Sequence, residues 1–229
     1  MERADRSITC IVTDIDGTLT SYDRRISINA ISTLRKVRDA GVEVILATGN
    51  VLPIAYGLFK MIGLNGSIVA ENGGVLYHDQ TVEYLNSPRL PEEAFAFLQS
   101  KMAVQRLFTD QWRVTEIALE PTVDVETVRR LLSGHDVHVE SSGFAIHIQS
   151  RNHTKFSAVS KACSYAGIPL GHVAAFGDGE NDIEMLKNCA IGIAVGNAPE
   201  HVKRAAAHVT AATHGEGFVE GIRWLGIIE

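Results

Sequence analysis

The stretch that decides the fold runs from Ser7 to Thr18, S-I-T-C-I-V-T-D-I-D-G-T. Ser7 to Thr13 is a short, β-branched apolar run, the pattern of a parallel strand buried on both faces. It passes directly into Asp14, Ile15, Asp16, Gly17 and Thr18, acidic residues and a glycine where the strand should end. Two carboxylates two residues apart at a strand end can point to the same side. They repel unless a positive group sits between them, and a hard divalent cation such as Mg²⁺ meets that need. Gly17 allows the backbone to turn away tightly. A nucleophilic carboxylate beside an acid/base carboxylate also fits phosphoryl transfer through an aspartyl-phosphate. A plain DxDG turn is the alternative. A calcium loop would need Asp or Asn at the next alternate position, where Thr18 stands.

Working outward, Ser27 is a candidate N-cap. Ile28, Ile31, Leu34 and Val37 form one apolar stripe, and Gly41 suits the position after the helix. Val42 to Ala47 reads as a second buried strand ending in Thr48-Gly49-Asn50. Pro53 opens a helix through Ile62, and Ser67 to Ala70 is a third strand before Glu71-Asn72-Gly73-Gly74. Strand–helix–strand–helix–strand at this spacing implies right-handed crossovers and a parallel sheet. The same grammar returns late. A helix capped by Thr154 runs to about Ala166. Strand Val173 to Phe176 ends in Gly177-Asp178-Gly179-Glu180-Asn181-Asp182. A short helix, strand Ile191 to Val195, a helix opened by Pro199 and a C-terminal helix bearing Phe218, Ile222 and Leu225 complete it.

The middle differs. Arg113 to Leu119, Asp136 to Glu140 and Ala145 to Gln149 alternate with period two, as half-solvated antiparallel strands do. Ser141-Ser142-Gly143 is a turn, and helices are expected near Pro91–Met102 and Asp124–Leu132. The expected architecture is an α/β, Rossmann-like parallel core, residues 1–80 and 153–229, with an inserted small α+β module at 81–152.

Four features fall at the carboxyl ends of expected parallel strands, the edge where open α/β sheets bind ligands. Asp14 and Asp16 are the first. Asp178 and Asp182 can complete an oxygen-rich cation site with them, although they would also suit the next helix's dipole. Thr48-Gly49-Asn50 offers a hydroxyl and open N–H groups to phosphate oxygens, or is an ordinary turn. Lys155, in a helix's first turn, opposes the dipole and would neutralise a phosphate or the nucleophile, or is a solvated surface lysine.

The 229 residues suit one large or two small domains, and 45% hydrophobic with 21% charged residues is ordinary for a globular chain. A net charge of −6 disfavours general nucleic-acid binding. Cys10, Cys163 and Cys189 lack CxxC spacing, so buried thiols in a reduced, cytoplasmic setting are expected. The charged Met1–Arg6 segment does not read as a signal peptide, and no apolar run is long enough to span a bilayer.

In this order, DIDGT, ATGN, Lys155 and GDGEND resemble the four motifs of the haloacid dehalogenase superfamily of phosphatases, and the inserted module resembles its type-2 cap. Within the superfamily, Glu71-Asn72-Gly73-Gly74, the small module and ATGN look most like the archaeal phosphoglycolate phosphatases. Many sugar phosphatases carry arginine where Asn50 stands. The resemblance implies a Mg²⁺-dependent phosphatase of a small phosphorylated metabolite, 2-phosphoglycolate, and leaves a homodimer open. It implies Asp14 as nucleophile and metal ligand, and Asp16 as general acid/base and metal ligand through its carbonyl. Thr48 and Lys155 would hold the phosphoryl group, Asp178 and Asp182 would complete the metal site, and Asn181 would orient phosphate or water. Arg113 and His147, on the module's expected strands, are candidates to face the core and read a carboxylate on the leaving group. A sugar-phosphate phosphatase or phosphomutase, and a non-enzymatic phospho-sensor or receiver domain, are the other readings.

Overall fold

The computed structural model describes residues 7–142, 144–151 and 154–228. Met1–Arg6, Gly143 of the expected turn, Asn152 and His153 lie outside the described residues.

The apolar run after Ser7 forms β1 (Cys10–Thr13), the middle of an eight-stranded sheet. It pairs in parallel with β2 (Glu43–Ala47) and β9 (Val173–Gly177). β3 (Ile68–Ala70) extends the sheet beyond β2, and β10 (Ile191–Ala194) and β11 (His208–Val209) extend it beyond β9, all parallel. Alternate residues of the strands go to opposite faces, and each face has its own core. Ile11, Val44, Leu46 and Phe176 pack against α1 (Ile28–Asp39), α2 (Leu52–Ile62) and α8 (His214–Leu225). Cys10, Val12, Ile45 and Ala175 pack against α5 (Lys155–Tyr165), α6 (Ile183–Asn188) and the short α7 (Glu200–Lys203). All three cysteines are free and buried.

The caps fall as their chemistry dictates. The Ser27 side chain accepts from Ala30 N–H, and Gly41 has φ +81°. Thr154 and Ser157 form a reciprocal capping box at the start of α5. The α1 stripe rotates from expectation. Ile28 is 82% exposed, while Ala30, Thr33, Leu34 and Val37 are buried, because a strict three-residue spacing drifts around a 3.6-residue helix.

The sheet is not wholly parallel. After β3 the chain turns back through β4 (Val75–His78) and β5 (Thr81–Tyr84), both antiparallel to their neighbours. β5, which begins at Thr81, is therefore one edge strand of the large sheet, opposite β11.

The module is a three-stranded antiparallel sheet, β6 (Ile117–Leu119), β8 (Ile146–Ser150) and β7 (Val137–Ser141) in that order. One face packs on α3 (Arg89–Gln99) and α4 (Val125–Leu131), burying Phe95, Leu98, Val128, Ile146 and Ile148. The expectation of half-solvated strands holds for β7 and fails for β6 and β8, which are buried along their whole length. Its other face carries His147, which faces the large sheet's ligand edge instead of water. Arg113 is not on a strand. It follows a 3₁₀ turn at Phe108–Trp112 and precedes β6, so the period-two pattern overran the strand's start.

Candidate active site

Asp14 leaves β1 with its N–H bonded to the carbonyl of Phe176 on β9 (3.0 Å), so both strand ends open into one place. Gly17 has φ +93°, and a Cβ there would lie 2.3 Å from Asp178 Oδ2. Only a glycine lets the loop after β1 approach the loop after β9 so closely. Thr18 then donates to Asp178 Oδ1 (2.9 Å), while Asn197 donates to Oδ2 (3.1 Å).

Lys155 reaches the same point from the first turn of α5. Its Nζ donates to Asp14 Oδ1 (2.8 Å) and Asp182 Oδ1 (2.7 Å), and its side chain is wholly buried. Burial alone would lower its pKa, but the two carboxylates outweigh burial and raise it, so the ammonium stays charged. Asp182 Oδ2 accepts from the N–H groups of Asp178 and Gly179 (both 3.0 Å). The sequence thus brings Asp14, Asp178, Asp182 and Lys155 together.

The donor set fits a hard divalent cation. Asp14, Asp178 and Asp182 each offer an oxygen, all within 4.8 Å of one another. Asp14 Oδ2 is buried with no hydrogen-bond partner. Three carboxylates against one ammonium leave an excess of negative charge. Burial, reinforced by the neighbouring aspartates, pushes the Asp14 carboxyl well above the usual range, and burial with the Asp182 charge lifts Asp178 to about 7. Carboxyls in that state ionise readily only when an added cation shares the site.

Asp16 turns elsewhere. Its carboxylate takes Arg24 Nη2 at 3.3 Å and the amide of Asn50, on the side facing the inserted module. Thr48 is fully buried, and its hydroxyl accepts from Asn50 N–H (3.0 Å). Gly49 and Asn50, rather than Thr48, stand on the wall of the cavity.

That cavity measures about 60 Å³ and lies between the large sheet's edge and the module. Asp14, Asp16, Asn50, Asp178 and Asn181 line one side, and Arg113, Phe144 and His147 the other. Asn181 donates to Asn72 Oδ1 (2.9 Å), and Asn72 donates to Glu116 Oε2 (3.1 Å). Glu116, buried at 2% exposure, also binds Arg113 and His147 Nδ1 (2.9 Å). Burial would raise the Glu116 carboxyl, but His147 and Arg113 hold it below its usual range. Arg113 donates to Gly49 O (2.9 Å). Below this, Glu71 accepts from Thr115 N–H (2.9 Å) and its hydroxyl (2.6 Å). A Cβ on Gly74 would meet Thr115 Oγ1 at 1.9 Å, so a side chain there would push the module away.

Both cap-side candidates therefore face the core, but already paired. Sequence reading missed Glu116, Asn72 and Arg24. Glu116 sits inside a period-two stretch with nothing to mark its charge as buried. Asn72 carried a signal in its ENGG context, since it and Glu71 adopt left-handed φ values of 51° and 50°.

This arrangement is that of a known class. The chain belongs to the haloacid dehalogenase-like hydrolases, whose family pattern matches residues 11–114 and 116–222. It is a phosphomonoester hydrolase of that superfamily. It is 40% identical over 213 residues to the phosphoglycolate phosphatase of Methanothermobacter thermautotrophicus, covering 93% of this chain and 96% of that one. It is 38% identical over 221 residues to the phosphoglycolate phosphatase of Methanoculleus marisnigri, with 93% and 94% covered. Among solved structures, a Thermoplasma acidophilum protein superposes with a TM-score of 0.91 at 25% identity, covering 97% of this chain and 100% of that one. Among the described residues no helix is long and apolar enough to cross a membrane.

Proposed function

We propose that this chain is a Mg²⁺-dependent phosphatase that converts 2-phosphoglycolate to glycolate and phosphate through an aspartyl-phosphate. The observation that carries the reading is the setting of Asp14. Lys155 fixes one of its oxygens, while the other is buried without a partner beside Asp178 and Asp182. Two phosphoglycolate phosphatases at 40% and 38% identity support the substrate, and the small cavity favours a small leaving group.

Mg²⁺ would be held by Asp14, Asp178 and Asp182, with the carbonyl of Asp16, and would offset phosphate charge against the carboxylates. Lys155 and the turn at Thr48-Gly49-Asn50 hold the phosphoryl oxygens, and Asn181 orients them. A carboxylate oxygen of Asp14 forms a bond to phosphorus as the ester P–O bond breaks. Asp16, protonated, gives its proton to the departing glycolate oxygen. Water then loses a proton to Asp16 and attacks phosphorus, and the P–O bond to Asp14 breaks to release phosphate. Asn50 and Arg24 keep the Asp16 carboxyl on the leaving-group side. The module excludes bulk water above it.

Phosphate release from 2-phosphoglycolate and from a panel of sugar phosphates, compared by kcat/KM with added Mg²⁺, tests the reading. We expect 2-phosphoglycolate to lead. A sugar phosphate ahead of it would move the chain to that substrate class. A long-lived phosphoprotein without turnover would point to a receiver-like sensor. Asp16→Asn should still bind substrate but lose turnover, and retained activity would count against its proton role.

A further inference from the structure

We propose that Arg24 is the residue that selects an anionic leaving group, by receiving the substrate's carboxylate at the mouth of the cavity. The proposal rests on the phosphatase reading above and names the part of the site that recognises the non-phosphate end.

Among the described residues three cationic or basic side chains line the cavity, Arg24, Arg113 and His147. Two are committed. The Arg113 side chain is 2% exposed and binds Glu116 and Gly49 O. His147 Nδ1 holds the same Glu116 oxygen at 2.9 Å. Drawing Arg113 away would strand a buried carboxylate, which is strongly unfavourable. Arg113 Nη1 is thus committed to Glu116 and Gly49, and although Nε is buried without a partner, the charge is already paired, so the residue is better read as positioning the Gly49 turn against the module.

Arg24 differs on each count. Its side chain is 50% exposed, and among the described residues its one ion-pair partner is Asp16, at 3.3 Å. A long, half-exposed pair of this kind is weak and easily exchanged. The backbone at Arg24 has φ +62°, a left-handed conformation that an arginine adopts only when its surroundings impose it. The imposing element is a tight turn in which Arg24 N–H donates to Ser21 O (2.8 Å) and Ser21 N–H to Arg25 O (3.1 Å). The guanidinium also lies 5.1 Å from the ring centre of Phe144, which belongs to the module. With the ring lying against the guanidinium, a carboxylate that displaces Asp16 from Nη2 can take two N–H groups in the two-pronged geometry that lysine cannot supply.

The covalent structure of the substrate completes the argument. In a phosphoglycolate a single methylene separates the ester oxygen from the carboxylate. If Asp16 protonates that oxygen, the carboxylate must lie within a few bond lengths of Asp16, where Arg24 already sits. Binding then exchanges one anion for another on Arg24. It frees the Asp16 carboxyl for the leaving oxygen and ties the anionic substrate, through the Arg24–Phe144 contact, to the module.

The experiment compares 2-phosphoglycolate with ethyl phosphate, which keeps the ester and lacks the carboxylate, in the Mg²⁺-loaded wild type, Arg24→Gln, Arg24→Lys and Arg113→Gln. The quantity read is the ratio of the two kcat/KM values on the same preparation. A partly unfolded preparation lowers both values alike and leaves the ratio intact. We expect Arg24→Gln to lower the ratio about 10- to 100-fold, mainly through KM for 2-phosphoglycolate, as loss of a charge-assisted contact does. Arg24→Lys should restore part of it. If both substrates lose equally in Arg24→Gln, Arg24 acts only through Asp16 and the proposal is overturned. A ratio that collapses in Arg113→Gln but not in Arg24→Gln overturns it in favour of Arg113. A wild-type ratio near one overturns the substrate reading itself, a failure distinct from either.

Discussion

The two sheets of this molecule solve opposite problems with the same backbone. The large sheet buries both faces under helices and keeps its chemistry at the strand ends, where Asp14 and Asp178 emerge from β1 and β9. The small sheet buries one face on its own helices and turns the other toward the site, so His147 on β8 and the segments just before β6 and β8 carry its site-facing side chains. Charge follows the same division. The large sheet's ligand edge gathers three carboxyl groups around one lysine, more acid than one ammonium can offset. The module's face pairs Glu116 with Arg113 and His147, so its charges are met, although Arg113 Nε stays buried without a partner. An unbalanced cluster is built to receive something, whereas a balanced one is built to hold its shape.

Exchanging single groups on either side should break that contrast in a graded way. The largest effect belongs to the strand end. Asp14→Asn should lower kcat on the order of 10⁴-fold or more in a phosphate-release assay. Measurable turnover near the wild-type level would remove the aspartyl-phosphate from the account.

Next comes the balanced set. Glu116→Gln leaves Arg113 buried without its counter-charge and should destabilise the protein by about 3 kcal/mol near neutral pH, read from chemical denaturation. The carboxyl is held below its usual range by His147 and Arg113, with Glu71 opposing nearby. Its stabilisation is therefore complete above about pH 4–5 and is lost as pH falls through the lowered native value. The gap between wild type and Glu116→Gln should narrow over that acid range. A gap independent of pH would show that packing, not charge, separates them.

The excess of carboxyl groups at the strand ends predicts a third effect. Saturating Mg²⁺ should raise the melting temperature, equivalent to about 2–3 kcal/mol at a hundredfold excess over its dissociation constant. Asp178→Asn should abolish most of that rise. An equal rise in the variant would place the ion elsewhere.

The smallest effect contrasts two strands of the small sheet. His138 on β7 is half exposed and pairs with Glu140 at 3.0 Å. His138→Ala should cost no more than about 0.5 kcal/mol in the same denaturation measurement. A larger loss would mean that β7 is as enclosed as β8.

How much of this was legible beforehand follows from where the information lies. The Ser7–Thr18 stretch announced both a buried parallel strand and the carboxylates at its end, because strand burial and turn chemistry are local. The ends of β2 and β9 read the same way, and so did the Ser27 and Thr154 caps. The hairpin β4–β5 was not read, since an added antiparallel edge leaves no mark on the parallel pattern before it. β8 was read as half-solvated because alternation reports a strand's polarity and not what covers its polar face.

What the chain determined by itself is the list of chemical groups and the strand ends on which they stand, since periodicity and glycine placement act over a few residues. What only the tertiary structure decided is pairing. Lys155 meets Asp14 across 141 positions of sequence, Glu116 pairs with Arg113 and His147, and the half-exposed Arg24 pairs with Asp16. Electrostatic interaction depends on distance and burial, and neither exists until the two sheets have closed on each other.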